Sequence, residues 1–180
     1  MNKIRVATAW LDGCSGCHMS ILDMDERLLE LADRIEVVYS PLVDQKEFPG
    51  NVDLALVEGA VSSEDDLHKI RTIRARAKML VALGDCAVMA NIPAMRNPFG
   101  IEAVLDRAYL EHTTIKNQIP SAGGPEIPDL LPYARPIHEV APVDVFVPGC
   151  PPSADVIYYV LTELLEGRVP DVTEQTRFGA

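Results

Sequence analysis

The sequence predicts an α/β fold of the flavodoxin-like, doubly wound kind: five parallel strands with helices on both faces. Two observations carry this. Short runs of Val, Ile, Leu and Ala recur without polar alternation, as in strands buried on both sides. Segments with apolar residues at helical spacing lie between those runs, which is the pattern of a parallel sheet with crossover helices. A length of 180 residues fits a single domain spanning residues 1–180.

The elements follow in order. Residues 3–9 read as the first strand. Residues 19–32 read as a helix, with Ile21, Leu22, Leu28, Leu29 and Ala32 on one face. Residues 34–39, 53–57 and 79–83 read as the second, third and fourth strands. Between the last two lies a helix over 63–77. Ser63 is its N-cap, and Glu64, Asp65 and Asp66 place negative charge in its first turn. Residues 143–147 read as the fifth strand, followed by a helix over 153–166 that Gly167 is placed to stop. The expected strand order is 2-1-3-4-5. A proline-rich loop over 112–142 interrupts the alternation before the last strand, and loops this long usually carry function or meet a partner. The tail over 168–180 is polar.

Bulk composition excludes several classes. A net charge of −11 opposes binding to nucleic acid or to an anionic membrane surface. No run is long and apolar enough for membrane insertion, and the N-terminus lacks the pattern of a signal peptide. The expected location is the cytoplasm, where cysteines serve as metal or redox groups rather than disulfides.

There are four cysteines. Cys14 and Cys17 lie in Asp12-Gly13-Cys14-Ser15-Gly16-Cys17-His18, Cys86 in Gly84-Asp85-Cys86-Ala87, and Cys150 in Pro148-Gly149-Cys150-Pro151-Pro152. All sit beside glycine, where predicted strands end. Ligands of open parallel sheets collect at the carboxyl ends of the strands. In the expected order the four thiols can therefore converge on one edge. Three readings stand. An Fe–S cluster suits the soft ligands and the spacing. A structural Zn site more often uses two close pairs. Unligated buried cysteines leave the glycine-flanked loops unexplained. Glycine also exposes backbone N–H groups that can hydrogen-bond to sulfur.

These motifs, with Trp10-Leu11 before the first and Glu58-Gly59-Ala60-Val61 between, keep one order over most of the chain. In that set the chain resembles the small subunit of [NiFe] hydrogenases, within them the short, single-cluster type of the cytoplasmic NAD-reducing, bidirectional enzymes. The resemblance implies one proximal [4Fe–4S] cluster held by Cys14, Cys17, Cys86 and Cys150, beside a Ni–Fe site in a separate large subunit. It implies an enzyme subunit that moves electrons, coupling H2 oxidation to NAD+ reduction through Fe–S and flavin diaphorase subunits. FMN is a secondary expectation from the same source.

Two departures matter. Longer members carry further clusters in a C-terminal extension, so electrons here are expected to leave through another subunit. The glycine pair usual after the third cysteine is absent from Cys86-Ala87-Val88-Met89-Ala90-Asn91-Ile92, which bears on local helix packing rather than ligation. The electron-transfer subunit of respiratory complex I shares the Pro-Gly-Cys-Pro-Pro ending but has adjacent cysteines at the first site. A cluster subunit of a complex I-like or membrane-bound hydrogenase assembly is therefore the alternative.

Remaining candidates carry weaker signals. Glu58, at a strand end, suits either proton transfer or structural hydrogen bonding. His18, next to a ligand, either donates a hydrogen bond near the site or partner or faces solvent. Trp10 reads as a core or interface aromatic. His68 reads as solvated, and His112 and His138 flank the proline-rich loop without a motif.

Overall fold

The computed structural model describes residues 3–111 and 127–176. The elements along the chain are β1 (Ile4–Trp10), α1 (Gly16–Leu22), α2 (Arg27–Ala32), β2 (Ile35–Tyr39), β3 (Val52–Glu58), β4 (Val61–Ser63), α3 (Glu64–Arg76), β5 (Ala77–Leu83), α4 (Asp85–Met89), α5 (Asn91–Ala94), α6 (Ile101–Tyr109), β6 (Leu130–Arg135), β7 (Val145–Val147) and α7 (Ala154–Leu165). A short 3-10 turn, Ile137–Glu139, precedes β7.

Five strands form one parallel sheet in the order β2-β1-β3-β5-β7. This is the predicted flavodoxin-like order. Alternate side chains feed two cores, as the period of two requires. On one face Ala7, Ala9, Ala55, Val57, Leu80 and Ala82 pack with Ile70 and Ile73 of α3. On the other, Val6, Leu54, Leu56, Val81, Leu83 and Val147 pack with Val156, Ile157, Val160 and Leu161 of α7. The continuous apolar strand runs in the sequence are thus explained by burial on both sides.

Caps fix the helix starts. The Ser63 hydroxyl accepts from Asp66 N–H at 3.1 Å, and the Asp66 carboxylate accepts from Ser63 N–H at 3.0 Å. This reciprocal box satisfies two N–H groups that the first turn would otherwise leave open. At α7, Ser153 Oγ accepts from Val156 N–H at 3.4 Å.

Three expectations need correction. The helix over 19–32 is two helices: α1 begins earlier, at Gly16, and stops at Leu22. Asp23 and Asp25 favour turns over helix interiors, Asp25 takes a positive φ of 50°, and Met24 is buried between them. The fifth strand is shorter than predicted, Val145–Val147, because the Asp144 carboxylate accepts the Leu80 N–H at 2.7 Å just before it. The proline-rich stretch is not loop throughout. Its later part forms β6, antiparallel to β4. Asn97 pins β6 through both bonds to Ala134, donating to its carbonyl at 2.9 Å and accepting from its N–H at 2.8 Å. Pro132 and Pro136 hide this strand in the sequence, yet proline is tolerated in such an edge ribbon. Residues 112–126 of the predicted loop, with His112, and residues 177–180 of the tail lie outside the described residues. Within the described tail, Val172 packs against the α7 core.

Candidate metal centre

Sheet register sets the site. Trp10 pairs with Glu58, Glu58 with Leu83, and Leu83 with Val147. These four residues form one row across the carboxyl ends of β1, β3, β5 and β7. Each cysteine follows its strand within a few residues, so the row delivers all four to one place. Cys14, Cys17, Cys86 and Cys150 line a single open pocket with Glu58, Gly59 and Asp85. All four are free thiols.

Close backbone approach holds the loops there. Asp12 and Ala60 exchange hydrogen bonds of 3.0 and 2.7 Å, folding the loop before Cys14 back over the end of β3. Gly59 makes this possible: its φ is +87°, and a Cβ would stand 2.7 Å from the Leu11 carbonyl carbon. Gly84, with φ +83°, is the seam between the two sides of the pocket. A Cβ there would stand 2.2 Å from Cys17 Sγ. Asp85, which the sequence reading did not single out, is buried. Its carboxylate accepts Gly149 N–H at 2.7 Å and its own N–H donates to Gly149 O at 2.9 Å. That pair ties the Cys86 turn to the Cys150 turn. A charged residue between a strand end and a cysteine was the available signal.

Behind Cys17 lies a buried polar chain. Glu58 Oε2 accepts Cys17 N–H at 2.9 Å, and Glu58 Oε1 lies 2.6 Å from His18 Nδ1. His18 Nε2 meets Thr8 Oγ1 at 2.9 Å, and Thr8 Oγ1 donates to Ser40 Oγ at 2.8 Å. His18 is 2% and Glu58 3% exposed, so both polar groups are taken from water and both are paired. Of the two readings for His18, hydrogen bonding next to the site is the observed one. Trp10 is part-exposed and packs edge-on against His18, ring centres 5.4 Å apart. His68 is exposed, as predicted, and His138 packs on Phe146 away from the pocket.

Ala90 and Asn91, in the stretch after Cys86 that lacks a glycine pair, both have positive φ, 63° and 22°. The turn therefore takes a glycine-like path. Asn91 Nδ2 lies 3.6 Å from Cys150 Sγ.

Burial first, then the Glu58 charge and hydrogen bond, push the Cys17 thiol well above its ordinary range. Burial also raises Cys86, opposed by the Ile92 N–H. Metal-free thiols here favour the protonated form, so ligation must expel protons.

Donor chemistry tests which group fits. Tetrahedral Zn–thiolate bonds of about 2.3 Å place sulfurs roughly 3.8 Å apart. Among the described residues no three His, Cys, Asp or Glu side chains converge round one ion. An Fe–S cluster would take four soft thiolates such as these from separate loops, with Cys14, Cys17, Cys86 and Cys150 as its holders. The residues present fit an Fe–S cluster.

Comparison with known proteins agrees. Residues 14–164 match the family model described as NADH ubiquinone oxidoreductase, 20 Kd subunit. The chain belongs to that family. The matched span begins at Cys14 and includes all four cysteines. Among its relatives is the NAD-reducing hydrogenase HoxS subunit delta of Cupriavidus necator, 41% identical over 94% of this chain and 82% of that one. A component of the vhu F420-non-reducing hydrogenase of Methanocaldococcus jannaschii is 40% identical over 93% of this chain, which spans only 58% of that relative. A chain in the crystal structure of an NAD+-reducing [NiFe]-hydrogenase in the H2-reduced state superposes with a TM-score of 0.92 at 43% identity, covering 98% of this chain and 99% of that one. Within its family the chain is thus a hydrogenase small subunit. No helix among the described residues is long and apolar enough to cross a membrane.

Proposed function

We propose that this chain is the electron-transfer small subunit of a cytoplasmic [NiFe] hydrogenase that couples H2 oxidation to NAD+ reduction. In this reading it is a single domain in which Cys14, Cys17, Cys86 and Cys150 hold one proximal [4Fe–4S] cluster. The carrying observation is that three separate loops bring four free thiols to one pocket at the carboxyl edge of the sheet. When bound, such a cluster takes up and passes on single electrons. The chain's own residues position it. Gly59 and Gly84 let the loops close, Asp85 joins the Cys86 and Cys150 turns, and Glu58 fixes the Cys17 backbone.

Partners follow from the surface. Met19, Met89, Ile92, Met95 and Phe99 are exposed on the helices and turns that follow Cys17 and Cys86. Large apolar side chains beside a redox site suit a permanent interface, of about 2,000 Å² or more. The large Ni–Fe subunit is the proposed occupant, with Fe–S and flavin diaphorase subunits taking the electrons onward. FMN rests on the resemblance alone, since the loop after β1, which holds phosphate in flavodoxins, here carries Cys14 and Cys17.

Anaerobic purification with metal analysis and identification of bound chains tests the proposal. The expected result is about four iron and four sulfide per chain, with a Ni-binding chain and flavin subunits bound. One Zn and negligible iron overturns the cluster. The family's description favours a second reading, a cluster subunit of a complex I-like or membrane-bound assembly; membrane subunits among the bound chains would select it.

A further inference from the structure

We propose that the turn over residues 90–92 holds the Asn91 side-chain amide as an N–H donor on the Cys150 sulfur, and that through this contact Asn91 tunes the reduction potential. The inference rests on the cluster reading above. Its basis is geometric. α4 carries Cys86 and ends at Met89, and Ala90 and Asn91 then reverse the chain through positive φ. The reversal aims the Asn91 side-chain amide at a sulfur on a different loop, its Nδ2 lying 3.6 Å from Cys150 Sγ. Among the described residues Asn91 is the one side chain that donates a hydrogen bond to a cysteine sulfur.

Residue type fits both requirements. Asn tolerates the left-handed region better than other non-glycine residues. It also carries the N–H2 group that a glycine in the same place would lack. A metal-bound thiolate has no proton to give, so the amide must present its nitrogen rather than its oxygen. Donors to cluster sulfur stabilise the reduced state, which carries the extra negative charge, and so raise the potential. Asn91 is a positioning and tuning residue: it touches a ligand, not a substrate.

Asn91→Gly separates the donor from the backbone, because glycine keeps the left-handed path while removing the amide. Asn91→Asp keeps the shape but replaces the donor with a negative carboxylate. The experiment is an EPR-monitored redox titration of the anaerobically purified complex, with the signal of this chain identified by its loss in Cys86→Ser. Near the wild-type midpoint, the reduced-to-oxidised ratio should fall several-fold in Asn91→Gly, up to about tenfold, which is 59 mV for one electron. It should fall further in Asn91→Asp, with iron and sulfide content unchanged in both. An unmoved midpoint in Asn91→Gly with full iron overturns the tuning role and leaves the cluster reading intact. Loss of iron in both variants makes Asn91 a structural residue and also overturns it. A wild-type complex without iron in this chain overturns both proposals.

Discussion

The Cys14–Cys17 side of the pocket rests on a buried polar chain four residues long, while the Cys86 and Cys150 turns are joined by the single Asp85–Gly149 pair and approached by one side-chain amide. On the first side Glu58, His18, Thr8 and Ser40 are all buried and hydrogen-bonded in series. On the second, Asn91 reaches Cys150 from a half-exposed turn. On the first side the Glu58 carboxylate accepts the Cys17 N–H; on the second the Asp85 carboxylate accepts the Gly149 N–H and the Asn91 amide reaches the Cys150 sulfur. Buried polar networks in low dielectric are costly to break. An exposed donor adds little to stability but acts directly on charge at the sulfur. The comparison teaches that the Cys17 side is held by the longer buried network, whereas the Cys150 sulfur is reached by a donor to which the proposal above gives a tuning role.

The largest effect is expected at the seam, where the two sides touch. In Gly84→Ala the new Cβ meets Cys17 Sγ, and the residue must also hold φ +83°. Strain and overpacking of this kind together cost about 3 kcal/mol or more. Urea unfolding should show the loss, and iron per chain should collapse, because Cys17 is displaced. Retained iron with an unshifted midpoint would mean that the two sides are not in contact as described.

Next is Glu58→Ala. It leaves the Cys17 N–H and the His18 ring without their buried partner, and stranding buried polar groups in this way costs about 1–3 kcal/mol. Glu58→Gln should cost less, since the amide retains one acceptor. Equal unfolding midpoints for Glu58→Ala and wild type would reduce the buried chain to a bystander.

Much of this comparison was legible in the sequence, but unevenly. The continuous apolar runs gave the strands, and their order followed from the parallel topology. Cysteines at strand ends pointed to a shared edge because register, not sequence distance, controls where strand ends meet. The Glu58 position was visible; its connection to His18 was not, because it depends on α1 starting at Gly16 rather than at Met19. Thr8 and Ser40 gave no signal, being a lone hydroxyl inside β1 and one just past β2. Asp85 and β6 were missed for similar reasons. Their roles come from pairing with residues far along the chain, and prolines mask the strand. Asn91 appeared only within the stretch that lacks a glycine pair, and its amide acquires meaning once Cys150 is placed beside it.

Thr8→Val probes the far end of the buried chain. The substitution keeps the shape and removes the hydroxyl that joins His18 Nε2 to Ser40 Oγ. About 1–2 kcal/mol should be lost, the cost of leaving buried polar atoms unpaired. In a double-mutant cycle with Glu58→Ala the losses should be less than additive, since both act on His18. Strict additivity would show that the chain does not behave as a unit.

The smallest stability effect belongs to Asn91→Gly, on the opposite side. The variant gives up one long N–H···S contact at a half-exposed position. It also relieves a non-glycine residue at positive φ, while glycine's extra freedom in the unfolded chain works the other way. These terms are small and of opposite sign, so the unfolding free energy should stay within about 0.5 kcal/mol of wild type. Urea unfolding of Asn91→Gly beside Glu58→Ala is therefore the sharpest form of the comparison. A loss in Asn91→Gly approaching that of Glu58→Ala would show that the Cys150 side also carries structural load. The division between a stabilising side and a tuning side would then fail, whatever the redox titration returned.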